Sequence, residues 1–366
     1  MRVFFMSNFN TMNLSDSLLK SITRMGYTTP TPIQAETIPI ALTGKDIIGT
    51  AQTGTGKTAA FLIPLFSKLM ASRESHAIIL APTRELALQI MQVVESLMPQ
   101  DGRFPTALLV GGADIGKQLR QLKAKPRLVV ATPGRVNDHI KRRSINLKFF
   151  NLLVLDEFDR MLDIGFTPQI EKVISFMGEN RQTLMFSATL TQQVIKLSKK
   201  YLTDPAVINA GTVNTPVKNI DQKMVNTTER NKYDDLLSEL SKRDGSIIIF
   251  VSTKSGADKL SLKLNNDNQN TSPFHGDIPH RKRERVVKNF KSQDFRILVA
   301  TDIAARGLDI NHIRHVINYD LPRCPEDYIH RLGRTARAGA KGSAVSFIVP
   351  ADGKKWTAIK RIMKQA

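Results

Sequence analysis

The sequence predicts an α/β protein of two domains, each a parallel sheet covered on both faces, and three observations carry that prediction. Short continuous apolar runs recur at residues 47–48, 77–80, 107–110, 128–130, 152–155 and 184–186, separated by helical patterns. Runs that are apolar at every position, not every second one, belong to strands buried on both faces. From about 210 to 221 the text changes to Gly, Thr, Asn, Pro and Val without periodicity, and the alternation then resumes at 247–251, 297–300, 315–318 and 344–348. A domain over 1–210, a linker over 211–221 and a second domain over 222–366 follow, and 366 residues suffice for two proper cores.

Charge narrows the partner class. The chain carries 53 Lys+Arg against 33 Asp+Glu, a formal net charge of +20. Such an excess draws polyanions, with nucleic acid ahead of a membrane surface or an acidic protein. Aromatic residues make up only 6% of the chain, which argues against a surface built mainly on base stacking. No apolar run approaches membrane-spanning length, and the apolar start ends at Ser7 and Asn8, too soon for a signal peptide. The single Cys324 permits no internal disulfide, which fits a reducing, cytoplasmic setting.

The chain is organised around Ala51-Gln52-Thr53-Gly54-Thr55-Gly56-Lys57-Thr58, which follows an apolar run and opens into 59–63. Upstream, Leu14, Leu18, Leu19 and Ile22 keep helical spacing behind a Ser15 or Asp16 cap. Strand, glycine loop and helix are the context of a phosphate loop. The glycines let successive N–H groups converge on phosphate oxygens at a helix N-terminus. Lys57 would reach the β and γ phosphates of a nucleotide, and the Thr58 hydroxyl would ligand Mg²⁺. The pattern departs from G-x-x-x-x-G-K-[ST] only at Ala51.

The run 152–155 leads straight into Asp156-Glu157-Phe158-Asp159. Carboxylates at the carboxyl end of a buried strand stand where a nucleotide's Mg²⁺ would lie. Asp156 would hold the metal through water, and Glu157 would orient or deprotonate the attacking water.

These elements, with others in the same order, resemble the DEAD-box family of ATP-dependent RNA helicases in superfamily 2. The resemblance runs from Phe9 to about Gly339 and is most like the bacterial RhlE-type subgroup. It implies two tandem RecA-like domains facing each other across a cleft, with ATP and Mg²⁺ as cofactors and RNA as partner. Residues 26–34, which include Tyr27 and Gln34, match the family's Q motif, with Phe9 at the place of its isolated upstream aromatic. By that resemblance Phe9 stacks on adenine and Gln34 reads its edge, since a side-chain amide complements adenine N7 and N6. Pro82-Thr83-Arg84, Gly111-Gly112 and Thr132-Pro133-Gly134-Arg135 resemble elements that grip one RNA strand by its backbone. Ser187-Ala188-Thr189 resembles the element that couples nucleotide state to strand separation, its hydroxyls exchanging hydrogen bonds with Asp159.

In the second half, residues 300–309 and His330-Arg331-Leu332-Gly333-Arg334-Thr335-Ala336-Arg337 give the strongest signals. The resemblance makes Arg334 and Arg337 arginine fingers for the γ-phosphate, Gly307 and Asp309 ribose contacts and His330 a coupling residue. It also makes Gly276, Arg283 and Thr301 RNA contacts. RNA-decay or ribosome-assembly proteins are the candidate protein partners, and a monomer is expected.

The chain departs from the family pattern at four further places. His280 stands for Gln, Ala336 for Gly and Leu332 for Ile. Phe158 stands for the alanine that names the family. A ring set between the metal carboxylate and the coupling carboxylate would overpack that place at a cost of about 1–3 kcal/mol. Two rival readings therefore accompany the helicase: a DNA translocase of the same fold, and a nucleotide-dependent RNA clamp disabled by Phe158.

Overall fold

The computed structural model describes residues 8–51, 54–209, 220–305, 310, 312–336 and 341–365. Chain contacts divide it into two compact units, Met1–Gly211 and Thr212–Ala366.

The first unit runs α1 (Asp16–Arg24), α2 (Pro32–Leu42), β1 (Ile47–Thr50), α3 (Lys57–Ala71), β2 (Ala77–Leu80), α4 (Arg84–Leu97), β3 (Thr106–Leu109) and α5 (Ile115–Lys123). It continues with β4 (Leu128–Ala131), α6 (Pro133–Lys141), β5 (Leu152–Leu155), α7 (Phe158–Asp163), α8 (Thr167–Ser175), β6 (Gln182–Ser187), α9 (Gln192–Tyr201) and β7 (Ala206–Asn209). The strands form one seven-stranded sheet in the order β3-β4-β2-β5-β6-β1-β7, parallel at every pairing. Successive strand residues alternate between two cores. Ile79, Val130, Val154 and Phe186 join the layer of α1 to α4, whereas Leu80, Val129, Leu155 and Met185 join that of α6 to α9. The apolar-at-every-position pattern records this double burial.

The second unit runs β8 (Ile220–Asn226), α10 (Lys232–Ser241), β9 (Ser246–Phe250), α11 (Lys254–Asn266), β10 (Thr271–Phe274), α12 (His280–Lys291), β11 (Ile297–Ala300), α13 (Asp302–Ala305), β12 (Ile313–Asn318), α14 (Pro325–Leu332), β13 (Gly342–Ile348) and α15 (Gly353–Gln365). Its six strands are also parallel, in the order β10-β11-β9-β12-β13-β8. Ile220 and Asp221, expected in the linker, instead open β8 and pair with Gly342 and Ser343. Residues 211–219 of that linker lie outside the described residues.

Phe158 corrects the sequence reading. Its side chain is 0% exposed and belongs to the core behind α7, where it meets Tyr201 edge-on with ring centroids 6.0 Å apart. Adjacency in sequence misled, because successive residues of a helix point about 100° apart. Asp156 and Asp159 stay at the sheet edge while the residue between them turns inward. Phe158→Ala should therefore destabilise the first unit by about 3–5 kcal/mol through the cavity it leaves. Urea titration checks this, and a gain in stability would show the ring to be strained.

Candidate functional site

Parallel register gathers the candidate residues. Thr50 pairs with Ser187, Leu155 with Met185, and Leu80 with both Leu155 and Ala131, so β2, β4 and β5 end level and β1 and β6 end two residues further on. Ladder hydrogen bonds continue one residue beyond: Ala51 N–H donates to Ser187 O, Asp156 N–H to Leu80 O, Ala81 N–H to Ala131 O, and Thr132 N–H to Leu109 O. The glycine loop, the acidic residues and the strand-gripping loops thus leave one edge of one sheet, where ligands bind in this fold class.

Gly56 caps α3 at φ +91°, and a Cβ there would collide with the Gln34 amide, so only glycine serves. Gln34 donates to Gly56 O at 3.1 Å and accepts from Thr31 N–H at 3.0 Å. One amide thereby ties the start of α2 to the phosphate loop. Lys57 is buried at the first turn of α3, its Nζ 2.8 Å from Ala51 O. Tyr27 packs beside the first core, partly buried. Phe9 is 3% exposed and packed into that core, so stacking on a base would require its ring to turn outward. Gln52 and Thr53 lie outside the described residues.

Asp156 is 3% exposed, and Oδ1 accepts from Glu157 N–H at 3.0 Å. Burial raises its pKa to about 6, with the opposite charge of Lys57 pulling down and the like charge of Glu157 pushing up. A buried anion left this uncomfortable suits a cation, so Asp156 with Thr58 fits the Mg²⁺ of a bound nucleotide. Glu157 sits in the left-handed region at φ +48° and forms a buried 2.8 Å ion pair with Arg160. Asp159 Oδ2 accepts from Ala188 N–H at 3.1 Å, and from Thr189 N–H and Oγ1–H at 3.0 Å each. Ser187 does not join it. Fully buried on β6, its hydroxyl donates instead to Thr189 O at 2.7 Å.

Among the strand-gripping loops, Gly112 stands at φ +68° with the Arg84 guanidinium where a Cβ would be. Thr83 caps α4 by accepting from Leu86 N–H at 3.3 Å, behind Pro82. Thr132, Pro133 and Gly134 open α6, and Arg135 reaches back to the loop after Gly111 and Gly112 through Ala113 O at 3.0 Å. The three segments are thus in contact with one another.

In the second unit Phe274, Ala300 and Phe250 are in register, which sets Gly276 and Thr301 at one edge. Arg283 lies over the Phe274 ring at 5.1 Å. Arg334 is buried, its Nε 3.4 Å from His330 O. Gly307, Asp309 and Arg337, and the side chain of His280, lie outside the described residues. The sequence reading passed over Arg331, which is 1% exposed. It grips Asp302 with two bonds of 2.6 and 2.7 Å, bonds Asn318 Oδ1 at 3.0 Å and Asp320 O at 2.6 Å, and lies over Phe250. Its signal was an arginine three residues before Arg334, near the end of α14.

Comparison with known proteins gives these positions a family. The DEAD/DEAH box helicase family matches residues 31–197, and the helicase conserved C-terminal domain matches 230–339. The DEAD-box ATP-dependent RNA helicase CshA of Bacillus subtilis is 44% identical over 359 residues, 98% of this chain and 72% of the relative. This chain belongs to the DEAD-box ATP-dependent RNA helicases. The CshA helicase of Limosilactobacillus reuteri is 42% identical over 344 residues, 93% of this chain and 69% of that one. S. cerevisiae Dbp5, solved bound to RNA and ADP BeF3, superimposes with a TM-score of 0.86 at 33% identity, covering 98% of this chain and 93% of Dbp5. The DEAD-box chain is thus an ATP-hydrolysing enzyme with two parallel-sheet domains of the RecA-like kind.

The burial of Asp156 has a measurable sign. A carboxyl raised from 3.8 to about 6 in the folded state makes the protein lose stability as pH rises from about 4 through 6, after which the penalty is constant. Asp156→Asn should therefore raise the nucleotide-free protein's stability at pH 7.5 by about 2–3 kcal/mol, an advantage that fades as pH falls from about 6 and is gone below about 4. Denaturant unfolding across pH measures it, and equal stabilities at pH 7.5 would contradict the burial penalty.

Proposed function

We propose that this helicase couples hydrolysis of ATP to local, non-processive opening of short RNA duplexes, reading RNA by its backbone and not its sequence. The observation that supports the reading best is the Asp159 junction. One carboxylate, three residues from Asp156, takes three hydrogen bonds from the segment 188–189 at the edge that carries the glycine loop, Arg84, Gly112 and Arg135.

In this reading Lys57 and the amides of 51–58 hold the triphosphate, Gln34 and Phe9 select adenine, and Tyr27 lines the base's side. Gln34 keeps one N–H and one lone pair beyond its two protein bonds, enough for adenine's paired acceptor and donor. Mg²⁺ held by Thr58 and Asp156 would neutralise charge on the β and γ phosphates. Glu157 takes the proton of the attacking water, and for that its carboxylate must leave or share Arg160. Arg334 and Arg337 offset charge developing on the transferred group, Gly307 and Asp309 hold the ribose, and His330 joins Asp159, Ser187 and Thr189 in coupling. RNA backbone is met by residues 82–84, Gly112, residues 132–135, Gly276, Arg283 and Thr301. Contacts to phosphate and 2′-hydroxyl would favour RNA over DNA.

The clamp alternative loses its motive, since the Phe158 ring is buried away from the carboxylates. As to subgroup, we place the chain nearer the CshA type than the RhlE type expected from its motifs, because CshA relatives match it over 98% of its length. A cytoplasmic monomer acting beside RNA-decay or ribosome-assembly proteins completes the proposal.

Steady-state ATP hydrolysis tests it. Single-stranded RNA should stimulate turnover well above DNA of equal length, and Glu157→Gln should lower the stimulated kcat by about 100-fold or more while ATP and RNA binding persist. Equal stimulation by DNA, or undiminished turnover in the variant, would sink the reading. Thr189→Ala should keep much of the RNA-stimulated hydrolysis yet lose duplex opening in a strand-displacement assay, whereas parallel loss of both would remove Asp159 from coupling.

A further inference from the structure

Gln118 is the one buried residue of α5, 2% exposed on a helix whose other residues are half-buried or exposed, and nothing in the motif pattern marks it. Both ends of its amide are used. Nε2 lies 3.3 Å from each of three loop carbonyls, Val110, Ala113 and Asp114. Oε1 accepts from Arg135 Nε at 3.1 Å and lies 3.3 Å from His139 Nε2. Arg135 closes the figure by donating through Nη2 to Ala113 O at 3.0 Å. The loop that carries Gly111 and Gly112 is therefore pinned from within, by a side chain that also holds the arginine of the next loop.

The consequence lies in the peptide plane. In a trans peptide the C=O and the following N–H point in opposite directions. Drawing the Val110 carbonyl inward onto Gln118 turns the Gly111 N–H outward, away from the helix. That N–H has no hydrogen-bond partner among the described residues. Gly112, at φ +68° against the Arg84 guanidinium, makes the turn that lets backbone come close to a ligand. The Gly111 amide thus adjoins Gly112, against which the Arg84 guanidinium lies, and Ala113, whose carbonyl is held by Arg135, itself 3.6 Å from Asp138. An outward amide beside such basic groups is a donor for a backbone phosphate.

We propose that Gln118 is a positioning residue for RNA. It aims the Gly111 N–H at a backbone phosphate and fixes Arg135 beside it, without touching RNA itself. The inference rests on the reading above that the Gly112 and Arg135 loops meet RNA. A buried glutamine that merely satisfied the start of α5 would cost stability when removed. It would leave unchanged the number of phosphates that the folded protein neutralises, and the salt dependence of binding reads that number.

The test uses the full chain and a single-stranded RNA. Gln118→Met keeps length and apolar volume while removing both the donors and the acceptor, and Gln118→Glu keeps the acceptor for Arg135 but loses the donors to the carbonyls. Both variants should bind RNA about five- to tenfold more weakly, as the net loss of one ordinary hydrogen bond implies. The slope of log K against log salt should become shallower by about 0.7, the amount for one phosphate contact on a single strand. ATPase activity without RNA and nucleotide affinity should not change.

Wild-type affinity and slope in Gln118→Met overturn the proposal. A weakened Gln118→Met beside a wild-type Gln118→Glu overturns the amide-aiming role and leaves only support of Arg135. Arg135→Ala, measured alongside, separates the two levels: if it is impaired while Gln118→Met is not, the positioning role alone falls. If Arg135→Ala also binds as wild type, the RNA reading of these loops falls and takes the proposal with it.

Discussion

Everything in the first unit depends on the shared register of its parallel strands. Since β2, β3, β4 and β5 end level and β1 and β6 end two residues further on, six segments distant in sequence leave the same edge. A parallel sheet imposes this, because each strand must be re-entered from the far end by a helix. Backbone amides left at that edge have no further strand to pair with, and they become phosphate donors or helix caps. The residues that follow are small or turn-forming for the same reason: Gly56 and Gly112 both occupy left-handed backbone with a neighbouring side chain where a Cβ would stand.

Two buried charges show how differently the units use burial. Arg331 is surrounded by acceptors, with the Asp302 carboxylate, Asn318 and a backbone carbonyl in its plane and Phe250 beneath. Its desolvation is compensated in place, so it acts as a pin between α13, β12 and α14. Asp156 has Lys57 near it, yet burial still outweighs that charge and the carboxyl is held above its ordinary range. A charge satisfied within the fold is structural, and one left unsatisfied is prepared for a ligand.

The gathering of the candidate residues on one sheet edge was legible in the sequence because its signals are local: a glycine loop after one apolar run and carboxylates after another. The sheet itself was legible because double burial writes itself as unbroken apolar runs. Tertiary direction was not. Phe158 reads as an intruder between two carboxylates and is instead a core residue, and Ser187 and Thr189 read alike although only Thr189 reaches Asp159. Single polar residues that close a network from outside any motif were invisible. Asp46 accepts the N–H groups of Thr183 and Thr203 at 2.7 Å each, and Gln118 serves three carbonyls, but neither has a spacing that announces it. Their signal is a polar residue at a position the helical or strand pattern buries, and it emerges only once the face is known.

The contacts around α7 join Glu157 and Asp159, the carboxylates proposed for catalysis and for coupling, through one arginine. Arg160 donates its backbone N–H to Asp159 Oδ1 at 3.0 Å and its guanidinium to Glu157 at 2.8 Å. Asp159 in turn holds 188–189 through its other oxygen. A displacement of that segment would therefore be felt at Glu157 through two shared groups and one short helix, with no longer route needed. Glu157 is the side most ready to respond, because its left-handed backbone is already held against a conformational preference of roughly 1–3 kcal/mol. Coupling between binding sites must also run both ways, so whatever RNA does to 188–189 through such a chain, bound nucleotide does in return. A single arginine touching both acids is the smallest arrangement by which strand and phosphate can sense each other on one edge of one sheet.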